Sequence, residues 1–174
     1  MNIISIRDID NNLLSKFDCG IDVLNVFLKC YSLPNDESNI GRTYVAIDNS
    51  QIVGYITLCT AQLEFAQMPQ EYRANMPRYP IPGIRIARLA IDQRFQGNGY
   101  GRELITFALK KILITSVSVG IKIVIVDSKE ESKSFYEHYG FKPTKDNGQT
   151  YYMLIETVAK ALLDWEKDWL KSGH

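Results

Sequence analysis

The stretch Arg88-Leu89-Ala90-Ile91-Asp92-Gln93-Arg94-Phe95-Gln96-Gly97-Asn98-Gly99-Tyr100-Gly101 constrains this 174-residue chain more than any other, because an apolar strand passes through a glycine loop straight into a helix. Gly97, Gly99 and Gly101 carry no Cβ, so the backbone turns tightly and its N–H groups can approach an anion closely. A helix starting near Tyr100 adds unpaired N–H groups and the positive end of its dipole. The pattern predicts a pyrophosphate cradle; the plainer alternative is a glycine turn that only caps the helix.

Two other glycine cradles fail on their own residues. A P-loop needs Lys and then Ser or Thr after its last glycine, to serve the terminal phosphate and Mg²⁺. Arg102 and Glu103 stand there instead, which removes the residues of kinase and NTPase chemistry. A dinucleotide fingerprint needs Gly-x-Gly-x-x-Gly in an early βαβ unit, with an acid about 20 positions on. This loop reads Gly-x-Gly-x-Gly past mid-chain, and Val117 to Val124 occupy the place of that acid.

Gln96-x-x-Gly99-x-Gly101 after a strand ending in Ala90-Ile91-Asp92 resembles the acetyl-CoA loop of the GNAT N-acetyltransferases. The resemblance implies an α/β (α+β) fold: a mixed twisted sheet of six to seven strands, splayed between its two central parallel strands, with about four flanking helices plus a C-terminal helix. It also implies acetyl-CoA as co-substrate and no metal. Main-chain groups of Leu89, Ala90 and Ile91 would hydrogen-bond the pantetheine arm. The backbone of Gln96, Gly97, Asn98, Gly99, Tyr100 and Gly101, running into Arg102, would hold the pyrophosphate.

Ser134-Phe135-Tyr136-Glu137-His138-Tyr139-Gly140-Phe141 is similar to a second signature of that family, Phe-Tyr-x-x-x-Gly-Phe. Ser128 and Glu131 fit a capping box for a short helix, and Gly140 suits the left-handed residue that ends it. By the resemblance, Tyr136 is the catalytic residue that protonates the departing thiolate. A phenol with pKa near 10 remains protonated at neutral pH and can donate to a thiolate of pKa about 8.5. The alternative for Tyr136 is an amphipathic core aromatic. Phe135, Tyr139 and Phe141 read as packing, and His138 and His174 as poor candidates for a base. Where the family often places Asn seven residues before the tyrosine, this chain has Lys129.

Composition fits one enzyme domain over residues 1–174, with residues 156–174 as a C-terminal helical extension: 45% hydrophobic residues suffice for one core of ordinary size. Arg7, Asp8 and Asp10 exclude a signal-peptide apolar region, and no apolar run reaches membrane-spanning length. Cys19, Cys30 and Cys59 are odd in number and lack paired spacing, which points to neither a disulfide framework nor a zinc site and favours the cytoplasm.

Periodicity predicts a strand at Ile3 to Ile6, a helix at Asp22 to Tyr31, and a hairpin of Thr43 to Ile47 with Ile52 to Leu63 around Asp48-Asn49-Ser50-Gln51. Ala66 to Pro82, with Pro69, Tyr72, Tyr79 and Pro80, interrupts the sheet. A strand at Ile84 to Asp92, a helix at Arg102 to Leu113 with Leu104, Ala108 and Ile112 on one face, and a strand at Ile121 to Val126 predict a parallel crossover. Tyr151 to Ile155 is the last strand. A helix at Val158 to Leu170 follows, with Leu162, Trp165 and Trp169 on one stripe.

Phe17-Asp18-Cys19-Gly20 with Leu24-Asn25-x-Phe27-Leu28, Arg42-Thr43-Tyr44-Val45, and Asn75-Met76-Pro77 with Pro80-Ile81-Pro82 resembles the GNAT toxins of bacterial toxin-antitoxin pairs. That resemblance implies an acceptor in the α-amino group of aminoacyl-tRNA and an antitoxin protein as partner. Lys plus Arg equals Asp plus Glu at 20 each, whereas a tRNA-gripping protein normally shows a basic excess. Arg73, Arg78, Arg85, Arg88, Arg94 and Arg102 fall within one third of the sequence. Either they form a patch, with Arg78, Arg85 and Arg88 touching the substrate, or they are solvated and CoA-binding arginines.

The expected chemistry is direct attack of a neutral amine on the thioester, with backbone N–H groups of Leu89 to Ile91 stabilising the oxyanion. Cys59 is either a nucleophile or, lacking a spaced His, a core thiol. Glu64 is the candidate base, acting through water. Two other functions stay open: acetylation of a small metabolite or protein amine, and a non-catalytic CoA-binding or interaction module with Trp165 and Trp169 as a homodimer or partner face.

Overall fold

The computed structural model describes residues 1–74, 76, 78–145 and 148–171, with side chains up to Trp165 in the last helix. Asn75 and Pro77 of the toxin-like motif, His174 and the Trp169 side chain lie outside the described residues.

The chain begins with strand β1 (Asn2–Ser5) and continues through the single helical turn α1 (Asn11–Leu14). Helix α2 (Asp22–Val26) widens into a π turn at Phe27–Tyr31 and runs on as α3 (Ser32–Glu37). The predicted helix thus extends one element further, through Pro34 to Glu37. Strands β2 (Arg42–Asp48) and β3 (Gln51–Leu63) form the expected hairpin. Both central turn residues, Asn49 (φ 46) and Ser50 (φ 60), have positive φ, as the twist of a tight hairpin demands.

The segment between β3 and β4 holds α4 (Gln70–Arg73). Then come β4 (Ile81–Ile91), α5 (Tyr100–Thr115), β5 (Ile123–Asp127), α6 (Lys133–His138), the two-residue β6 (Lys142–Pro143), β7 (Thr150–Leu154) and α7 (Ile155–Lys171). The seven strands follow the order β1-β2-β3-β4-β5-β7-β6, in a mixed sheet with a parallel β4–β5 pair. Of the expected stripe on α5, Leu104 and Ala108 are fully buried and Ile112 is 2% exposed.

Two compact units are interleaved in the sequence: Met1–Cys59 with Ile86–Ala108, and Thr60–Arg85 with Leu109–His174. The first is cored by Ile6, Phe17, Phe27, Val45, Ile52, Tyr55 and Ala90, among others. The second is cored by Leu63, Met68, Ile81, Ile123, Ile125 and Tyr152. Strand β4 is divided between them. Its start belongs with β5, where the Lys122 N–H donates to Pro82 O at 2.9 Å. Its end belongs with β3, where the Asp92 N–H donates to Val53 O at 3.0 Å.

The capping box expected from Ser128 and Glu131 does not form. A 3-10 turn at Glu130–Ser132 precedes α6, and its N-cap is Lys129, with no side-chain cap. The Ser128 hydroxyl instead donates to Lys129 O at 3.0 Å. The other end of α6 follows expectation. Gly140 (φ 90) lets the Gly140 N–H reach Glu137 O (2.9 Å) and the Phe141 N–H reach Tyr136 O (3.1 Å), closing a Schellman cap. Helix α7 buries Val158 and Leu162. Trp165, which the alternative interaction-module reading would place on a partner face, forms a T-shaped pair with Tyr139 at 5.4 Å within its own unit.

Candidate active site

The glycine loop lies wholly in the first unit. Gly97 (φ 79) and Gly99 (φ 86) take the left-handed conformation, and a Cβ built on either meets nothing within 4 Å. Open space therefore lies in front of both residues, and Gln96 to Gly99 are exposed. The Glu103 N–H bonds to Gly99 O at 3.2 Å, so α5 begins at the loop and leaves its first amides unpaired. Sixteen residues of helix stand behind those amides. A pyrophosphate fits this arrangement on charge and on space.

Asp92 holds the loop in place, a role that spacing alone did not suggest. It is 1% exposed, yet its carboxylate accepts the Arg94 N–H (3.0 Å), Arg94 Nε (2.9 Å) and Nη2 (2.9 Å), and the Asp18 N–H (3.1 Å). Burial pushes its pKa up, but the bonds from Arg94 and Asp18 outweigh that, and the carboxyl settles below its ordinary value. Asp18 returns the contact by accepting the Gln93 N–H at 2.9 Å. The Asp18 carboxylate in turn accepts from the Gly20 N–H (2.8 Å) and Asn25 Nδ2 (2.7 Å). Gln96 closes the ring by donating to Ile91 O (3.1 Å) and Cys19 O (3.5 Å). The Phe17-Asp18-Cys19-Gly20 and Asn25 segments carried the only sequence signal for this buttress, and nothing in linear spacing ties position 18 to position 92.

In the second unit, Tyr136 sits on α6 at 7% exposure, edge-on to Phe135 (5.2 Å) and Phe141 (5.7 Å). Burial alone pushes its pKa up to about 12. The phenol is therefore a proton-bearing donor throughout the neutral range.

The arginines do not share one fate. Arg73 is tied to backbone, through Nε to Met68 O at 2.7 Å and through Nη2 to Ala66 O. Arg85 pairs with Asp127 at 2.8 Å, its Nε buried without a hydrogen-bond partner. Arg94 serves Asp92, and Arg88 lies over the Phe27 ring. Arg78 and Arg102 are exposed. Glu64 is engaged as the N-cap of the turn Phe65–Gln67, in a reciprocal capping box with Gln67. Cys59 is half-buried on β3, Cys19 buried and Cys30 exposed, all three as free thiols. His138 is exposed on α6. Among the described residues no group of His, Cys, Asp and Glu is suited to a metal ion, and no helix is long and apolar enough to cross a membrane.

Residues 39–143 match the acetyltransferase (GNAT) domain family. The chain belongs to the GNAT acetyltransferases. These enzymes use acetyl-CoA as co-substrate. A tRNA-acetylating toxin of Mycobacterium tuberculosis is 29% identical over 159 residues, covering 91% of this chain and 93% of the toxin. The structure of AtaT complexed with acetyl-methionyl-tRNAfMet superimposes with a TM-score of 0.84 at 30% identity, covering 91% of this chain and 97% of AtaT. A mutant AtaT toxin bound to the C-terminus of the antitoxin AtaR and acetyl-CoA gives 0.74 at 28% identity, with 91% and 96% covered.

Proposed function

We propose that this acetyltransferase moves the acetyl group of acetyl-CoA to the α-amino group of aminoacyl-tRNA and acts as a toxin in a bacterial cytoplasm, held in check by an antitoxin protein. The observation that carries the reading is the likeness, over 91% of the chain, to a toxin complexed with acetyl-methionyl-tRNAfMet. Residues 1–174 serve as one catalytic domain. The backbone of Gln96 to Gly101, ending at Arg102, takes the pyrophosphate, and the main chain of Leu89, Ala90 and Ile91 takes the pantetheine arm. Acetyl-CoA supplies the activated acyl group; the chain supplies position and polarity.

In this reading Tyr136 is the donor to the departing sulfur. A phenol raised to about 12 is a far weaker acid than an ordinary thiol of pKa about 8.5. The hydroxyl therefore acts by hydrogen-bonding the thiolate, while the attacking amine releases the proton that finally neutralises it.

The test is acetylation of charged tRNA by purified protein, with free amino acids, polyamines and peptides as competing acceptors. Modification of the amino acid on charged tRNA, with the free amino acid spared, is the expected result. A second reading, acetylation of a small or protein amine, is favoured by the balance of 20 basic and 20 acidic residues and by the local engagement of Arg73, Arg85 and Arg94. It takes over if charged tRNA remains unmodified while a small amine is acetylated.

A further inference from the structure

Arg88 stands apart from the arginines around it. Its Cζ lies 3.6 Å above the centroid of the Phe27 ring. That ring is itself fixed: Phe27 is 4% exposed and stacks on Tyr55 at 6.1 Å and 25°, and Phe17 meets Tyr55 edge-on at 5.6 Å. Arg73, Arg85 and Arg94 are held by carbonyls or carboxylates, whereas Arg88 makes no hydrogen bond or ion pair among the described residues. A guanidinium lying flat on an aromatic uses only its face. Its five N–H donors point outward in the plane and remain to be satisfied. Arg88 is half-exposed, so this free donor edge faces solvent and is available to an arriving anion.

The position says where that anion belongs. Side chains alternate along a strand, so Arg88 shares its face of β4 with Ala90, which packs in the same cluster as Phe27 and Tyr55. Arg88 also directly precedes Leu89 to Ile91, the main chain assigned above to the pantetheine arm. Two residues along a strand cover about 6.8 Å, and a guanidinium reaches several ångströms further. That is the length of a nucleoside. An aminoacyl ester whose amine attacks at Ala90 would place its nearest phosphodiester within reach of residue 88. Arginine's planar fork matches two phosphate oxygens at once.

We infer that Arg88, laid flat on Phe27, binds the phosphate 5′ to the terminal nucleoside of aminoacyl-tRNA and so sets the α-amine against the thioester. The inference rests on the charged-tRNA reading. An oxyanion at this point has one other source, the carboxylate of a free amino acid, and the experiment separates the two.

Steady-state kinetics on wild type, Arg88→Ala, Arg88→Lys and Phe27→Leu are measured with three acceptors: charged tRNA, the free amino acid, and the amino acid methyl ester, which has neither phosphate nor carboxylate. For Arg88→Ala the KM for charged tRNA rises roughly ten- to 150-fold, the range for a lost hydrogen bond to a charged group. The loss is far smaller for the methyl ester, and calorimetric acetyl-CoA affinity is unchanged. The slope of log kcat/KM against log salt falls by about 0.7, one single-strand phosphate contact. Arg88→Lys recovers little, because an ammonium neither stacks flat nor forks, and Phe27→Leu moves KM the same way. Should Arg88→Ala fail to fold, Arg88→Gln, which keeps the stem, takes its place. An unchanged KM for charged tRNA, an equal loss on methyl ester and tRNA, or wild-type acetylation of the free amino acid that vanishes in the variant each overturns the assignment. A wild type inactive on charged tRNA overturns the parent reading as well, and is seen before any variant is made.

Discussion

Replacing Asp92 by Asn tests whether the glycine loop is held by a buried carboxylate. Each carboxylate oxygen accepts two donors: Oδ1 takes the Arg94 N–H and Nε, and Oδ2 takes the Asp18 N–H and Arg94 Nη2. An asparagine keeps one oxygen and turns an NH₂ group toward the other pair, leaving the Asp18 N–H facing a donor. An orphaned buried donor costs about 1–3 kcal/mol. The Arg94 side chain is 52% exposed and recovers part of its loss from water, so a full buried-pair penalty does not apply. Together these give roughly 2–4 kcal/mol, or about 5–15 °C in Tm for a chain of this length. The folded pKa of Asp92 lies below its ordinary value, so its contribution is complete above about 3.9 and is lost as pH falls through the depressed value. Thermal melts from pH 7 downward should therefore show variant and wild type converging in acid, and calorimetry at neutral pH should show weaker acetyl-CoA binding by the variant. A Tm within about 2 °C of wild type, or a gap that does not shrink in acid, refutes the buttress.

Tyr136→Phe should lower kcat roughly ten- to 150-fold, the worth of a hydrogen bond to a charged group, while leaving acetyl-CoA affinity intact; an unchanged kcat removes the hydroxyl from the reaction. Gly99→Glu should keep the fold, since nothing lies within 4 Å of the new Cβ, but strain at φ 86 and a second anion facing the pyrophosphate should take binding beyond calorimetric detection; retained affinity would place the cofactor elsewhere. Tyr136 and Tyr152 are both raised by burial to about 12. Their stabilising contribution is complete below the unfolded value near 10 and lost as pH rises from there through 12, and urea titrations showing flat stability across that window would contradict their burial.

The strands and helices with long apolar periods were legible because burial leaves a period-2 or period-3.6 trace. The hairpin turn at Asn49 and Ser50, the helix α5 and the cap at Gly140 all fell where local chemistry placed them. Single-turn helices such as α1 and α4 leave no period to read, and the two-residue strand β6 is defined only by its pairing with Tyr151 and Tyr152. The misread cap at Ser128 has a physical cause: a 3-10 turn intervenes, so the helix proper starts beyond the residues whose spacing suggested the box. The left-handed turns of the loop at Gly97 and Gly99 were visible, because glycine is the residue that positive φ selects. The loop's buttress was not, since Asp92 is paired with a backbone amide 74 positions away.

Charge shows the same divide between linear and spatial order, with a consequence for how such an enzyme would hold a polyanion. Six arginines between positions 73 and 102 read as a basic stretch, but Arg73 is spent on backbone carbonyls, Arg85 on Asp127 and Arg94 on Asp92. A guanidinium beside a carboxylate contributes little net field at a distance of a Debye length, about 8–10 Å in physiological salt. Arg73 keeps its charge, since carbonyls are neutral, but its donors are occupied; what survives of the stretch with free donors, among the described residues, is Arg78 and Arg102 at the surface and Arg88 on its aromatic bed. A chain of zero net charge has little general attraction for nucleic acid. If charged tRNA is the acceptor, recognition must then fall on a few directed contacts close to the aminoacyl end, where an arginine presenting its whole donor edge weighs more than a diffuse patch.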